Sequence, residues 1–411
     1  MTNEYTKMDA GLLHLSNKKV LLKLIMQEKE IARSDLAKAT GLTPPTITRI
    51  VDELAYKDNL AEYTGIGSSS GGRPPVLVKF KNEGNYIVGV DLGATYIRGC
   101  LVDLNAKSVF EIQVPTEIEK GFSSIKEKVI QVIQKLRSRK EKNGKLWGIG
   151  IGVAGLVNNE TGVIKFSPDF GWSNINLREE LDPLMDIPFF YDNSTRLMAL
   201  GELSLGKKHN IKNFAFINMG YGIASGLVIK GKLVKGHSGF AGEFGHISVD
   251  TNSNVQCKCG MYGCLEALAS GHRIADLGKE VMKVDNSETL NKLTGGNPGL
   301  ITAEMVAKAA KMGDMPSLKI YNEITEYLCK GIGTIANLLN PEVIYLGGGI
   351  SLNGKFLFDM VERKKSKYLL KSNAKLPILP STFGEQATVM GAVSLVLEKI
   401  MNLELSGNSA L

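Results

Sequence analysis

The chain has few cysteines, almost no tryptophan and no strong excess of either charge. Three of its five cysteines crowd together at Cys257, Cys259 and Cys264. That spacing suits a reduced compartment and a metal site better than a disulfide framework. No apolar run approaches the roughly 18 residues of a membrane span. The stretch Met1 to Asp9 is too polar for a secretory signal, so a cytoplasmic chain with no membrane partner is expected. The net charge of +7 is spread thinly: residues 1–82 carry 12 Lys/Arg against 9 Asp/Glu, the remainder 37 against 33. Charge alone therefore argues no nucleic-acid partner.

What is present is ordinary globular composition, 43% hydrophobic and 22% charged, over 411 residues, too long for one core. Three blocks are expected: 1–82, 83–200 and 201–411. In the first, short amphipathic helices precede a Gly/Ser-rich loop. The others alternate helices with buried-looking strands at Tyr86–Val90, Gly148–Val153 and Val343–Leu346, the pattern of an α/β architecture. A C-terminal helix is expected to pack back on the middle block, and Leu403 to Leu411, lacking periodicity, to fray.

The first block reads as three helices and a hairpin. Val20, Leu21, Leu24 and Ile25 make Lys18 to Met26 helical, and Gly41 stops a second helix at Ser34 to Thr40. The third has Thr43 as a cap, Pro44 and Pro45 in its first turn, and a stripe of Ile47, Ile50, Val51 and Leu54. Its other face offers Thr46, Thr48 and Arg49 near the N-terminus, where a recognition helix meets base edges. Strand-like runs at Leu60 to Thr64 and Val76 to Phe80 flank Gly-Ile-Gly-Ser-Ser-Ser-Gly-Gly-Arg-Pro-Pro (65–75). That is a wing with Arg73 near its tip, narrow and cationic enough for an A·T-rich minor groove. The bland alternative is a flexible linker; the flanking strands favour the wing. Gly65-x-Gly67 is no dinucleotide fingerprint, because the third glycine is misplaced and no helix follows.

Further on, Val90-Asp91-Leu92-Gly93-Ala94-Thr95 ends a strand with a carboxylate and a tight turn, whose free amides could meet phosphate. Gly242-Glu243-Phe244-Gly245-His246 precedes Cys257-Lys258-Cys259-Gly260-Met261-Tyr262-Gly263-Cys264-Leu265-Glu266. Three thiolates and an imidazole (Cys257, Cys259, Cys264 and His246) are the ligand type of a closed tetrahedral zinc site; the alternative is three buried free thiols.

Together these motifs resemble the ROK (repressor, open reading frame, kinase) family along essentially the whole chain, and most of all its xylose-repressor-type branch with a winged helix-turn-helix. The resemblance implies a two-lobed actin/hexokinase-like (ribonuclease H-like) α/β fold with a sugar cleft between the lobes. It implies structural zinc bracing that cleft, with Glu243, His246 and Glu266 near sugar hydroxyls; without it, the two glutamates read equally well as surface carboxylates. Ser167-Pro168-Asp169-Phe170-Gly171-Trp172 is similar to the family's Pro-Asn-x-Gly-Trp segment, with Asp169 in place of Asn. Trp172 is then a sugar-facing plate or plain core. Asn340 to Gly349 resembles the segment lying against adenosine in family kinases.

Two departures set this chain apart from the family's kinases. Their Glu-Asn-Asp-Ala-Asn stretch, aligned on Leu200-Gly201-Glu202, keeps Asn193 but places Ser194 where the catalytic Asp stands. A serine is too weak a base, and Asp192 lies about 6.6 Å away along an extended strand. Gly220-Tyr221-Gly222-Ile223-Ala224-Ser225-Gly226 replaces a glycine-rich phosphate loop, with bulk expected at Tyr221, Ala224 and Ser225 where backbone must approach phosphate. The expectation is a sugar-responsive repressor of carbohydrate-metabolism genes that is not an enzyme. Asn193, Glu243, His246, Glu266 and Trp172 would hold the sugar. The protein would act on double-stranded operator DNA as a homodimer, with a tetramer as the alternative; the competing function is an ATP-dependent sugar kinase.

Overall fold

The structure is a computed structural model that describes residues 10–67, 74–208, 210–284 and 287–405. At the N-terminal end, α1 (Ala10–Gln27), β1 (Ile31–Ala32), α2 (Arg33–Thr40), α3 (Pro44–Asp52), β2 (Ala61–Ile66) and β3 (Val76–Phe80) make a helical trio on a small sheet ordered β1-β3-β2. α1 begins well before the expected Lys18, because Leu12 and Leu13 in its first turns stay exposed and leave no apolar stripe to read. α2 ends where Gly41 turns left-handed at φ 70° and donates its N–H to Ala37 O. In α3 the expected Thr43 cap bond is not made: Thr43 meets the Thr46 hydroxyl instead, at 2.9 Å. Pro44 and Pro45 bring no N–H to that end, so little remains there for a cap to satisfy. Ile47, Ile50, Val51 and Leu54 are fully buried, as the stripe required. One π-type turn, Glu53–Lys57, carries the helix onward.

The remaining elements form two lobes. In the first are β4 (Asn85–Leu92), β5 (Tyr96–Asp103), β6 (Ser108–Pro115), α4 (Gly121–Arg137), β7 (Lys145–Val153), β8 (Leu156–Val157), β9 (Val163–Ser167), β10 (Trp172–Asn176), α5 (Leu177–Leu181), β11 (Phe189–Asn193) and α6 (Ser194–Leu205). In the second are β12 (Phe214–Met219), β13 (Ile223–Ile229), β14 (Lys232–Leu233), α7 (Leu265–Ala269), α8 (Gly271–Val284), α9 (Glu288–Thr294), α10 (Ala303–Lys311), α11 (Met315–Leu339), β15 (Val343–Gly347), α12 (Lys355–Lys365), β16 (Ile378–Pro380) and α13 (Ala387–Met401).

The main sheets run β11-β7-β4-β5-β6 and β16-β15-β12-β13-β14. Each has an antiparallel three-strand meander and two parallel strands on its other side. One topology is thus used twice, the two-lobed arrangement the resemblance implied. Parallel strands covered on both faces need continuous apolar runs, and β4, β7 and β15 are buried almost throughout.

Helix α13 returns to the first lobe and crosses β4, β7 and α6. The approach is close enough that a Cβ on Gly150 would lie 2.2 Å from Ala392 O, and one on Gly391 only 1.9 Å from Leu197 O. Its first turn stands at Asp91, with Thr388 beside the carboxyl. Val396, Leu397, Ile400 and Leu403 join Leu21, Leu22 and Ile25 of α1 in one buried cluster. The N-terminal block and the first lobe therefore share a core through α13.

Candidate functional site

The cleft floor is built where β4 and β11 end. Asn193 caps α6: its Oδ1 accepts from Arg196 N at 3.0 Å, and its Nδ2 donates to Gly155 O at 2.8 Å. Ser194, the first residue of α6, is 9% exposed. Asp192 is 1% exposed. Its Oδ1 accepts from Asn193 N and from both Nε and Nη2 of Arg196, which pairs the carboxylate with a buried guanidinium. Asp91 is also buried, 3.7 Å from Arg98. Burial drives its carboxyl up to about 6, with Arg98 and Thr388 opposing.

The facing wall comes from the second lobe. Glu243 enters the turn Phe244–His246, and its Oε2 lies 4.0 Å from His246 Nε2. Glu266, in the first turn of α7, accepts from Ile223 N at 2.9 Å. Desolvation raises the Glu243 carboxyl, with His246 and Arg196 opposing and Glu266 reinforcing. Across the cleft, burial raises Asp169; Glu266 adds to this and Lys258 opposes it. The structure thus draws Asp169, Glu243 and Glu266 into one electrostatic neighbourhood with Arg196 and Lys258. Trp172 stands apart. It is 6% exposed, stacked on Phe170 at 4.3 Å and edge-on to Phe122 at 5.1 Å. Of its two readings, plate or core, the geometry is that of core.

Behind the wall, one ligand atom each from His246, Cys257, Cys259 and Cys264 lie within 4.8 Å of one another, a set able to hold a metal ion. Cys257 Sγ is 3.6 Å from His246 Nδ1, and Cys259 Sγ is 3.7 Å from Cys264 Sγ. The turn that closes this cluster needs Gly263 at φ 69°, where a Cβ would meet Asp250 O at 2.0 Å.

The 220–226 segment packs against the start of α8. Tyr221 is half exposed, with the Lys258 ammonium 5.0 Å and the His272 ring 5.1 Å from its centroid. The first amides of α8 donate to Gly220 O and Tyr221 O. Ser225 lies in β13, opposite Ile217, and its hydroxyl donates to Gly242 O at 3.2 Å.

In the N-terminal block, Pro45, Thr48, Arg49, Asp52 and Tyr56 line one shallow exposed face. Thr46 is half-buried. Thr48 donates to Pro44 O and accepts from Arg33. Arg49 is exposed and donates to His14 Nδ1 at 3.2 Å, while His14 Nε2 meets Glu53 at 2.9 Å. Arg73 lies outside the described residues.

Comparison with known proteins fits this geometry. The ROK family profile matches residues 87–399. The chain belongs to the ROK family. This ROK protein is 29% identical over 393 residues to a xylose repressor of Caldicellulosiruptor bescii, covering 95% of this chain and 98% of that protein. It is 32% identical over 323 residues to a glucokinase of Halalkalibacterium halodurans, covering 78% of this chain and 97% of the kinase. It is similar to the crystal structure of a ROK-family transcriptional regulator, a homolog of the E. coli MLC protein, with 28% identity and a TM-score of 0.80 over 96% of this chain and 99% of that one. The repressor and the regulator match this ROK chain along nearly its whole length, whereas the family profile begins only after β3.

Sequence reasoning passed over Arg196 and His14. For Arg196 a signal existed: the one cation of α6, four residues after Asp192, the spacing of a helical ion pair.

Proposed function

We propose that this ROK protein is a cytoplasmic, sugar-responsive transcriptional repressor of carbohydrate-metabolism genes. It would grip operator DNA with Thr46, Thr48 and Arg49 of α3 and with Arg73 of the wing. It would bind its effector sugar through Asn193, Glu243, His246 and Glu266. The observation that carries the reading is an N-terminal helical trio and small sheet that share a core, through α13, with the first lobe of a ROK fold; we read Ser194 as standing where the family's kinases carry their base. Winged-helix readers meet paired half-sites about one DNA turn or a multiple apart, which supports a homodimer.

The four metal ligands fit zinc. Zn–S bonds of about 2.3 Å and Zn–N bonds of about 2.0–2.1 Å at tetrahedral angles separate two sulfurs by about 3.8 Å, and sulfur from nitrogen by about 3.6 Å. The corresponding distances are 3.7 and 3.6 Å. Zinc, when bound, supplies a structural cross-link between the His246 turn and the Cys257–Cys264 loop. His246 would bind it through Nδ1, leaving Nε2–H toward Glu243. A sugar hydroxyl between them accepts from the imidazole and donates to the carboxylate.

The identity to a glucokinase favours a second reading, a sugar kinase. Against it, Ser194 is no base, Asp192 is committed to Arg196, and losing general-base catalysis costs on the order of 10²- to 10⁴-fold in rate. A coupled ATP-turnover assay with a pentose and hexose panel separates the two. The repressor reading expects no sugar-dependent ADP release and specific binding of upstream DNA. Sugar-dependent turnover would install the kinase reading.

A further inference from the structure

Arg196 sits in the first turn of α6, and its side chain is only 4% exposed. Its guanidinium ties together three separate pieces of chain. Nε donates to Asp192 Oδ1, at the end of β11, at 2.7 Å, and Nη2 donates to the same oxygen. Nη2 also donates to Val157 O of β8 at 2.7 Å. Nη1 donates to Gly239 O. Asp192 and Val157 belong to the first lobe. Gly239 lies in the second-lobe loop that runs from β14 to Glu243. The two lobes converge here: a Cβ on Gly239 would stand 4.0 Å from Val157 O. The far end of the same loop is pinned to β13, where Ser225 N–H and Oγ both reach Gly242 O.

We propose that Arg196 is a positioning residue of the sugar site: a buried clamp that holds the 234–243 loop against the first lobe and so fixes where Glu243 stands. This rests on the reading of the cleft as a sugar site. A planar, permanently charged fork suits the task, because its donors address several fixed acceptors at once. Asp192 supplies the counter-charge that lets the fork be buried. An effector that engages Glu243 then pulls on a loop already fastened to the first lobe, so its binding is felt by both lobes. The clamp sets how tightly the sugar is held.

Removing Arg196 alone would strand a buried carboxylate and could unfold the protein for that reason. The informative variant is therefore Asp192→Asn with Arg196→Met. It deletes both charges, keeps an acceptor for Asn193 N–H, and leaves a side chain of similar length. Full-length, metal-loaded protein would be compared with wild type by hydrogen exchange in the absence of sugar and by calorimetric titration with D-xylose and D-glucose. We expect amides of the 234–243 loop, Ala241 among them, to exchange roughly tenfold or more faster. Sugar affinity should weaken roughly tenfold or more, within the roughly 5- to 150-fold range of such couplings, while metal content and near-ultraviolet dichroism stay native. Arg196→Lys should recover only part of the affinity, because an ammonium cannot reach the same acceptors in one plane. A double variant with wild-type loop exchange or wild-type sugar affinity overturns the clamp. Failure of the wild type to bind any tested sugar overturns the functional reading itself, a distinct result from either.

Discussion

Replacing Ile400 by alanine should damage communication as well as stability. Ile400 is fully buried and belongs to the cluster that α13 shares with α1. The change removes three buried carbons, about 0.8 kcal/mol each in transfer, and leaves a cavity that brings the usual cost to about 2–5 kcal/mol. In a chain of this size about 2 °C of melting temperature is lost per kcal/mol, so a drop of about 4–10 °C is expected. The more specific consequence concerns α13, whose first turn touches Asp91 at the cleft floor while its last turns lie against the winged helix. A loosened joint should let sugar bind while its effect on DNA affinity falls several-fold from a wild-type coupling of about 5- to 150-fold. Melting curves and DNA anisotropy with and without sugar measure both quantities. An Ile400→Ala protein that melts lower but keeps the full sugar response would refute the idea that α13 carries the signal.

Four further outcomes are expected. Cys264→Ser, or chelation of the wild type, should abolish sugar binding and lower the melting temperature, because Cys264 is fully buried and immediately precedes α7, which carries Glu266; metal analysis with calorimetry checks this. Asp91 has a folded-state pKa of about 6, above the ordinary 3.8. The folded chain therefore gains from the proton: that stability is whole below about pH 4 and is lost as pH rises through about 6, on the order of 3 kcal/mol. Asp91→Asn should accordingly raise the urea midpoint more at pH 8 than at pH 5. Gly391→Ala should destabilise by about 1–3 kcal/mol despite alanine's better helix propensity, since its Cβ would press on Leu197 O; thermal melts decide. Arg73→Ala should weaken binding to A·T-rich flanks, and unchanged affinity in a mobility-shift assay would remove its minor-groove role.

Local signals were the legible ones. The stripe on α3, Gly41 as a stop, the strand at Val76 to Phe80 and the Cys-x-Cys run beside His246 all rest on spacings within a few residues. Long-range pairings were not legible in this way. Nothing local announces that β12 joins β15 across more than a hundred residues, or that Arg196 reaches carbonyls of Val157 and Gly239. The expected Thr43 cap bond is absent because its hydroxyl pairs with that of Thr46, while the two prolines leave Thr46 N–H as the one nearby donor it could have met. Trp172 was ambiguous because an aromatic beside a cleft motif looks the same in sequence whether it faces ligand or Phe122 and Phe170. The first turns of α1 escaped notice for the opposite reason, with leucines that remain exposed.

The central claim is that a sugar bound in the cleft alters the grip of the winged helix. Fluorescence anisotropy of the purified protein on its own upstream DNA, titrated with pentoses and hexoses at fixed salt, tests this most directly. The account predicts that one sugar shifts the DNA dissociation constant at least several-fold while leaving the DNA-free protein folded. Specific DNA binding that no sugar changes, with a sugar nonetheless bound in the cleft by calorimetry, would contradict it.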